Sequence, residues 1–258
     1  MAGSAVVEAA RRALGPVGAF LPVPTDSAAP IDLQRDAVRR LEQAGYRAAW
    51  TNEGVGGKDA LVQLAVLLAA TERMVFGTGI ANIWARSPQT AHGASALLAQ
   101  AYPGRFVLGL GVGYPQQAAS VDREFGRPLG IMRDYLDRMS APTQLPAPEV
   151  AYPRIIGANG PKMLALAAEL TDGAMPALKP PEFTAQARQV LGPDKLLVVF
   201  AHASTGDGDG TASAAQAQVR EHLAAGADHV LLGLPIGTDF IAGVERLAQL
   251  APAMAEIA

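Results

Sequence analysis

Short, unbroken apolar runs alternate along this chain with longer segments of helical period, and that alternation constrains the fold more than any other feature. Strands of a parallel sheet are buried on both faces, so they read as continuous apolar stretches. Eight such runs occur, at 17–21, 46–50, 74–80, 105–110, 154–156, 173–178, 195–202 and 229–234. A helical segment follows each one, at 30–44, 58–71, 87–100, 128–139, 160–170, 181–191, 212–225 and 238–250. Gly45 stops the first helix, and Ser87 with Pro88 opens the third. The run at 173–178 is the weakest, because Pro176 interrupts it. Eight βα units predict an α/β protein of the (β/α)8 TIM-barrel type. The 258 residues suit one such domain spanning 1–258, with the proline-rich stretch 141–153 as a surface loop.

Composition narrows the functional classes. Half of the residues are hydrophobic and the net charge is only −3, so no basic stripe for nucleic acid is present. There are no cysteines, which removes disulfides, thiolate metal sites and cysteine nucleophiles. With only four histidines, no metal site is expected. Arg11 and Arg12 follow the mildly apolar start, the wrong order for a signal peptide. No run reaches the ~18–20 apolar residues of a membrane helix. A cytoplasmic protein without a membrane partner is expected. The segment 61–70 is too apolar to face water, which predicts a homo-oligomer, most simply a homodimer.

The ligand site of such a barrel lies at the C-terminal ends of its strands. The segments to inspect are therefore 51–58, 81–86, 111–117, 157–162, 177–180, 203–210 and 235–238. Glu53 puts a carboxylate just past the second strand, either for proton transfer or as a solvated loop residue. The third strand carries Gly77 and Gly79, which suit either close approach of a flat ligand or tight packing at a barrel corner. Asn82 and Arg86 follow with polar reach. The Gly109-Leu110-Gly111-Val112-Gly113-Tyr114 segment lacks the third glycine and immediate helix of a dinucleotide fingerprint, yet it leaves bare backbone for a ligand. Gly157-Ala158-Asn159-Gly160-Pro161-Lys162 combines small residues, a helix N-terminus and a lysine, as an anion site would. An ordinary βα turn reads the same way. Residues 206–210 read as a mobile turn rather than a calcium loop. His202 fits a catalytic role or a core histidine, and His92 and His229 read as structural.

Taken together, the segments 45–50, 56–61, 69–73, 77–83, 102–113, 157–173 and 219–232 resemble the luciferase-like monooxygenase family, in particular its deazaflavin (coenzyme F420)-dependent oxidoreductases. The resemblance implies hydride transfer with a small organic substrate, the redox ring lying across the barrel mouth. It implies a non-proline cis peptide at Gly79–Ile80 backing the ring, with Ala81 and Asn82 flanking it. Gly111, Val112 and Gly113 would offer backbone, and Gly157 through Lys162 would hold the tail phosphate. Trp50 and Glu53 would line the substrate side, Glu53 as proton donor or acceptor. Tyr114 stands where relatives tend to carry a histidine, which makes it a third catalytic candidate. Relatives usually carry a long helical insertion after the seventh strand. Here 203–210 leads almost directly into the next helix, so that insertion is shortened.

Three other readings compete: an FMN-dependent monooxygenase, a cofactor-binding barrel without turnover, and a phosphate-handling aldolase or isomerase. The last would need a Schiff-base lysine at a strand end, and Lys195 lies at the wrong end of its strand.

Overall fold

The computed structural model describes residues 2–203 and 209–257. All strand pairings are parallel. The ladder runs from β3 (Val75–Thr78) through β2 (Ala48–Thr51), β1 (Val17–Phe20), β9 (His229–Gly233), β8 (Leu196–His202), β7 (Gly173–Met175) and β6 (Arg154–Gly157) to β5 (Phe106–Gly111), which pairs back onto β3. A two-residue strand, β4 (Ala81–Asn82), continues β3 past Gly79 and Ile80 and also pairs with β5. Counting β3 and β4 as one interrupted strand, the sheet is a closed eight-stranded barrel. Helices α2 (Ile31–Ala44), α3 (Ala60–Ala70), α4 (Pro88–Ala101), α6 (Pro128–Met139), α7 (Pro161–Leu170), α8 (Pro181–Leu191), α9 (Asp209–Ala224) and α10 (Phe240–Ala255) alternate with the strands, as expected.

Two helices had no counterpart in the sequence pattern: α1 (Ala2–Leu14) and the single turn α5 (Pro115–Ala119). Helix α1 precedes the first strand and closes the lower end of the barrel. It buries Val7, Ala10 and Leu14, one face at helical spacing, against the barrel interior. Arg11 anchors it, donating to Asp228 Oδ1 at 3.0 Å and to Lys195 O at 2.8 Å. The run at 173–178 shortens to Gly173–Met175, because Pro176 has no N–H to offer the ladder. Pairing resumes as one bridge between Ala177 and Phe200. The connection after β8 begins at Ala203. Residues 204–208 lie outside the described residues, and with them most of the expected mobile turn and shortened insertion.

Inside the barrel, below the mouth, Trp50 and His229 are both fully buried. Trp50 Nε1 donates to His229 Nε2 at 3.2 Å, and His229 Nδ1 meets Gly15 O at 2.6 Å. Burial drives the His229 pKa down to about 4. Gly77 and Gly18 make room for these rings. A Cβ at Gly77 would lie 2.3 Å from the Trp50 ring, and one at Gly18 2.5 Å from His229 Nε2. The two glycines of the third strand therefore separate in role: Gly77 serves packing, while Gly79 reaches the mouth.

Candidate active site at the barrel mouth

The mouth is organised by the break between β3 and β4. Thr78 locks the end of β3 to β5, its Oγ1 donating to Gly109 O at 2.7 Å and accepting from Gly109 N at 2.9 Å. The Gly79–Ile80 peptide that follows is cis. Gly79 N donates to Thr51 O at 2.7 Å, and Ile80 O accepts from Glu53 N at 3.1 Å, so the bulge lies along the end of β2. The chain then rejoins β5, with Ile83 N donating to Gly111 O at 3.2 Å. Both Gly79 and Ile80 remain half-buried, facing the mouth.

Beneath this main-chain ledge lies an apolar floor. A Cβ at Gly79 would touch Phe20 at 3.0 Å and Met175 Sδ at 3.4 Å. Phe20 meets Phe200 edge-on, with centroids 4.7 Å apart. The Ile80 side chain occupies the space that Gly111 leaves, where a Cβ would come within 2.5 Å of Ile80 Cδ1. It also faces Gly157, whose Cβ would lie 3.6 Å away. The bulge and the 157–162 turn are thus neighbours on one rim.

Parity along β2 decides where the next candidates point. Trp50 faces the barrel interior a layer below the mouth and has no exposed surface, so it cannot line a substrate pocket as the resemblance implied. Thr51 and Glu53 face outward. Glu53 accepts from Ala60 N at 2.9 Å and Asn82 N at 2.7 Å, and pairs with Arg86 through both oxygens. Arg86 also reaches Asp59 at 2.8 Å. Burial works against the Asp59 carboxylate, but hydrogen bonds from Val62 N, Arg86 and Leu61 N hold it below the ordinary range. The Glu53 carboxylate, expected as a proton carrier, is fully engaged and tethers Asn82 to the start of α3. Beside it, Lys58 leaves much of its chain exposed but tucks Nζ against Thr51 Oγ1 at 2.7 Å. Burial of that end pulls its pKa to about 8, with Glu53 opposing.

The β5 rim is mostly self-satisfied. Asn82 Nδ2 donates to Gln117 Oε1 at 3.0 Å, and Asn82 Oδ1 accepts from Trp84 N at 3.0 Å. Gly113 has φ +58°, and a Cβ there would collide with Gln117 Oε1 at 2.1 Å. Val112 O accepts from Trp84 Nε1 at 2.8 Å. Tyr114 is 71% exposed, and its backbone N–H bonds Gln117. Ala81 and Ala158 are buried wall residues. Asn159 Oδ1 accepts from Ala177 N at 2.8 Å, bracing the β7 rim. Gly160 begins α7 without a side-chain cap, Pro161 takes its first position, and Lys162 is exposed beside it. That N-terminus keeps free donors facing outward.

Two mouth residues gain importance only in three dimensions. His202 ends β8 on the same face as Leu196, Val198 and Phe200, which belong to the barrel interior. It is half-buried and packs edge-on against Phe200 at 5.3 Å. The other histidines are engaged elsewhere: His92 with Tyr152, His222 with Thr184, His229 with Gly15 and Trp50. Asn52 follows β2 on the inward face, and its Oδ1 is buried with no hydrogen-bond partner among the described residues. A cavity of about 660 Å³ lies at the opposite end of the barrel, beside Arg154, Asp172 and the 139–152 connection, and no mouth residue lines it.

The profile of the luciferase-like monooxygenases matches residues 16–254, nearly the whole barrel. The chain belongs to that family. A provisionally named coenzyme F420-dependent oxidoreductase of Mycobacterium tuberculosis is 29% identical over 186 residues, covering 60% of this chain and 53% of the relative. The chain spans about half the length of the curated relatives it matches. Among solved structures, an F420-dependent secondary alcohol dehydrogenase carrying an F420–acetone adduct superposes with a TM-score of 0.71 at 15% identity, covering 92% of this chain and 98% of that one. The oxygenating component of 3,6-diketocamphane monooxygenase from Pseudomonas putida, with FMN, gives 0.63 at 15% identity, covering 93% and 78%. At such identities these two likenesses concern the fold. No helix among the described residues is long and apolar enough to cross a membrane.

Proposed function

We propose that this luciferase-like barrel is an oxidoreductase that transfers a hydride between coenzyme F420 and a small organic substrate. The observation that carries the reading is the Gly79–Ile80 ledge, open main chain over an apolar floor and next to the 157–162 turn. When bound, the deazaflavin would supply the two-electron hydride carrier. The protein supplies the rest. Gly79 and Ile80 back one face of the ring, with Ala81 and Asn82 behind them and Gly111 keeping Ile80 in place. Phe20, Met175 and Phe200 exclude water from below. Lys162 and the α7 N-terminus attract the anionic tail.

Glu53 is a positioning residue in this reading, because its oxygens already serve four donors. Proton transfer at the substrate passes to His202, on the wall opposite the ledge: β8 lies four strands from β3 in either direction round the barrel. Tyr114, exposed on the rim, would cover substrate in this reading.

FMN is the second reading, motivated by the FMN-bound structural neighbour. Deazaflavin is a poor oxygen activator, so rapid oxygen consumption by the reduced holoenzyme would select FMN. Titration of each coenzyme, followed by absorbance, tests the function directly. Saturable binding of F420 with hydride exchange in a single turnover supports the proposal, and tight binding without exchange marks a barrel that has lost turnover.

A homodimer is also proposed. Helices α3 and α4 carry no charged residue, yet Val62 and Leu97 are 65% and 59% exposed on them. Light scattering at micromolar concentration should give twice the 26.7 kDa chain mass. A monomer there removes the proposal.

A further inference from the structure

Asn52 brings to the mouth an amide oxygen that is buried without a hydrogen-bond partner among the described residues. Its peptide is held flush against the ledge from both sides. Thr51 O accepts from Gly79 N at 2.7 Å, and Glu53 N donates to Ile80 O at 3.1 Å. Extended backbone alternates sides, so with Thr51 and Glu53 facing α3, Asn52 faces the mouth, one step above Trp50. Its neighbours are satisfied: Thr51 by Lys58 and Gln63, Thr78 by Gly109, Asn82 by Gln117 and Trp84. Asn52 Oδ1 alone among them is buried without a partner among the described residues. Such a group costs stability unless solvent or a ligand serves it, and at the mouth of a barrel a ligand can do so.

An amide pairs best with a planar edge that presents a donor beside an acceptor. The pyrimidinedione end of the redox ring has such an edge, with alternating C=O and N–H groups, and FMN and F420 share it. The other end of FMN is a dimethylbenzene edge with nothing to pair. A side chain standing beside the ledge, level with it, meets the edge of a ring lying on the ledge rather than its face. We infer that Asn52 docks the pyrimidinedione edge of the ring and so fixes how the ring is turned on the cis peptide. This inference rests on the coenzyme reading above.

The experiment uses the wild-type chain with Asn52→Leu and Asn52→Ala. Apo thermal stability is measured first, then absorbance titration with F420 and with FMN. Because no partner within the chain is lost, the apo Tm of Asn52→Leu should match or exceed wild type. Loss of one neutral hydrogen-bond pair should weaken binding of the coenzyme by roughly 3- to 10-fold in both variants. The bound-state absorbance shift should shrink in parallel. If wild type binds neither coenzyme, the functional reading fails and this inference falls with it. If wild type binds and both variants bind within twofold of it, Asn52 alone is refuted. A drop of more than about 5 °C in both apo variants would mean that the amide has a structural partner, and would also overturn the assignment.

Discussion

The two ends of the barrel interior are finished in opposite ways. At the lower end α1 plugs the opening, His229 bonds Gly15 O and Trp50, and glycines make room for rings. At the upper end the chain stops short. Gly79 and Ile80 show main chain, Asn52 keeps a buried oxygen without a partner among the described residues, His202 packs edge-on against Phe200, and Lys162 stands beside an uncapped helix start. In the coenzyme reading proposed above, the lower end serves stability and the upper end a ligand. Substitutions below should cost folding and leave ligand affinity alone, and substitutions above should do the reverse.

The largest effect is expected where the two ends are joined. Arg86→Met strands the buried Glu53 carboxylate, which holds Asn82 N and the start of α3. Removing one partner of a buried pair costs about 3–5 kcal/mol. Urea denaturation should show that loss, and the folded fraction should also bind coenzyme poorly because the ledge is no longer tethered. Unchanged stability would show that the pair is ornamental.

A somewhat smaller effect belongs to the lower end alone. Burial lowers His229 from 6.5 to about 4, so the unfolded imidazole takes up a proton that the folded one refuses. Its contribution is complete above pH 6.5 and is lost as pH falls toward 4, about 3 kcal/mol over that window. Urea midpoints at pH 7 and pH 4.5 measure it. A His229→Gln variant should lose less stability over the same interval, and an equal loss would place the effect on other groups.

Smaller again, and confined to the mouth, is Lys162→Ala. Coenzyme affinity should fall about tenfold, in keeping with loss of one charged hydrogen bond, while the apo Tm stays put because Lys162 is exposed. Isothermal titration checks the first and differential scanning fluorimetry the second. A matching loss of Tm would erase the contrast between the ends.

The barrel was legible because parallel strands announce themselves as apolar runs, and the ledge because its residues carry a family resemblance. Direction was not legible. In a strand buried on both faces the sequence does not mark which residues point inward, so Trp50 and Glu53 looked like mouth residues when one lies below the mouth and the other behind its wall. The same blindness hid Asn52, which lay between them, and kept His202 ambiguous although Leu196, Val198 and Phe200 lead to it on one face. Gly77 and Gly79 read identically in sequence, and only the Trp50 ring distinguishes them. Helix α1 escaped because it stands outside the βα alternation, with a single narrow apolar face.

The central claim is that a flat redox ring rests on the Gly79–Ile80 ledge, and it is tested most directly by absorbance titration of the wild-type chain beside Gly111→Val. A branched side chain at 111 would fill the space that holds Ile80. Saturable micromolar binding of F420 to wild type, lost in a Gly111→Val protein that still unfolds cooperatively, is the expected result. Wild type that binds neither F420 nor FMN at tens of micromolar, or a folded Gly111→Val that binds as well as wild type, would contradict it.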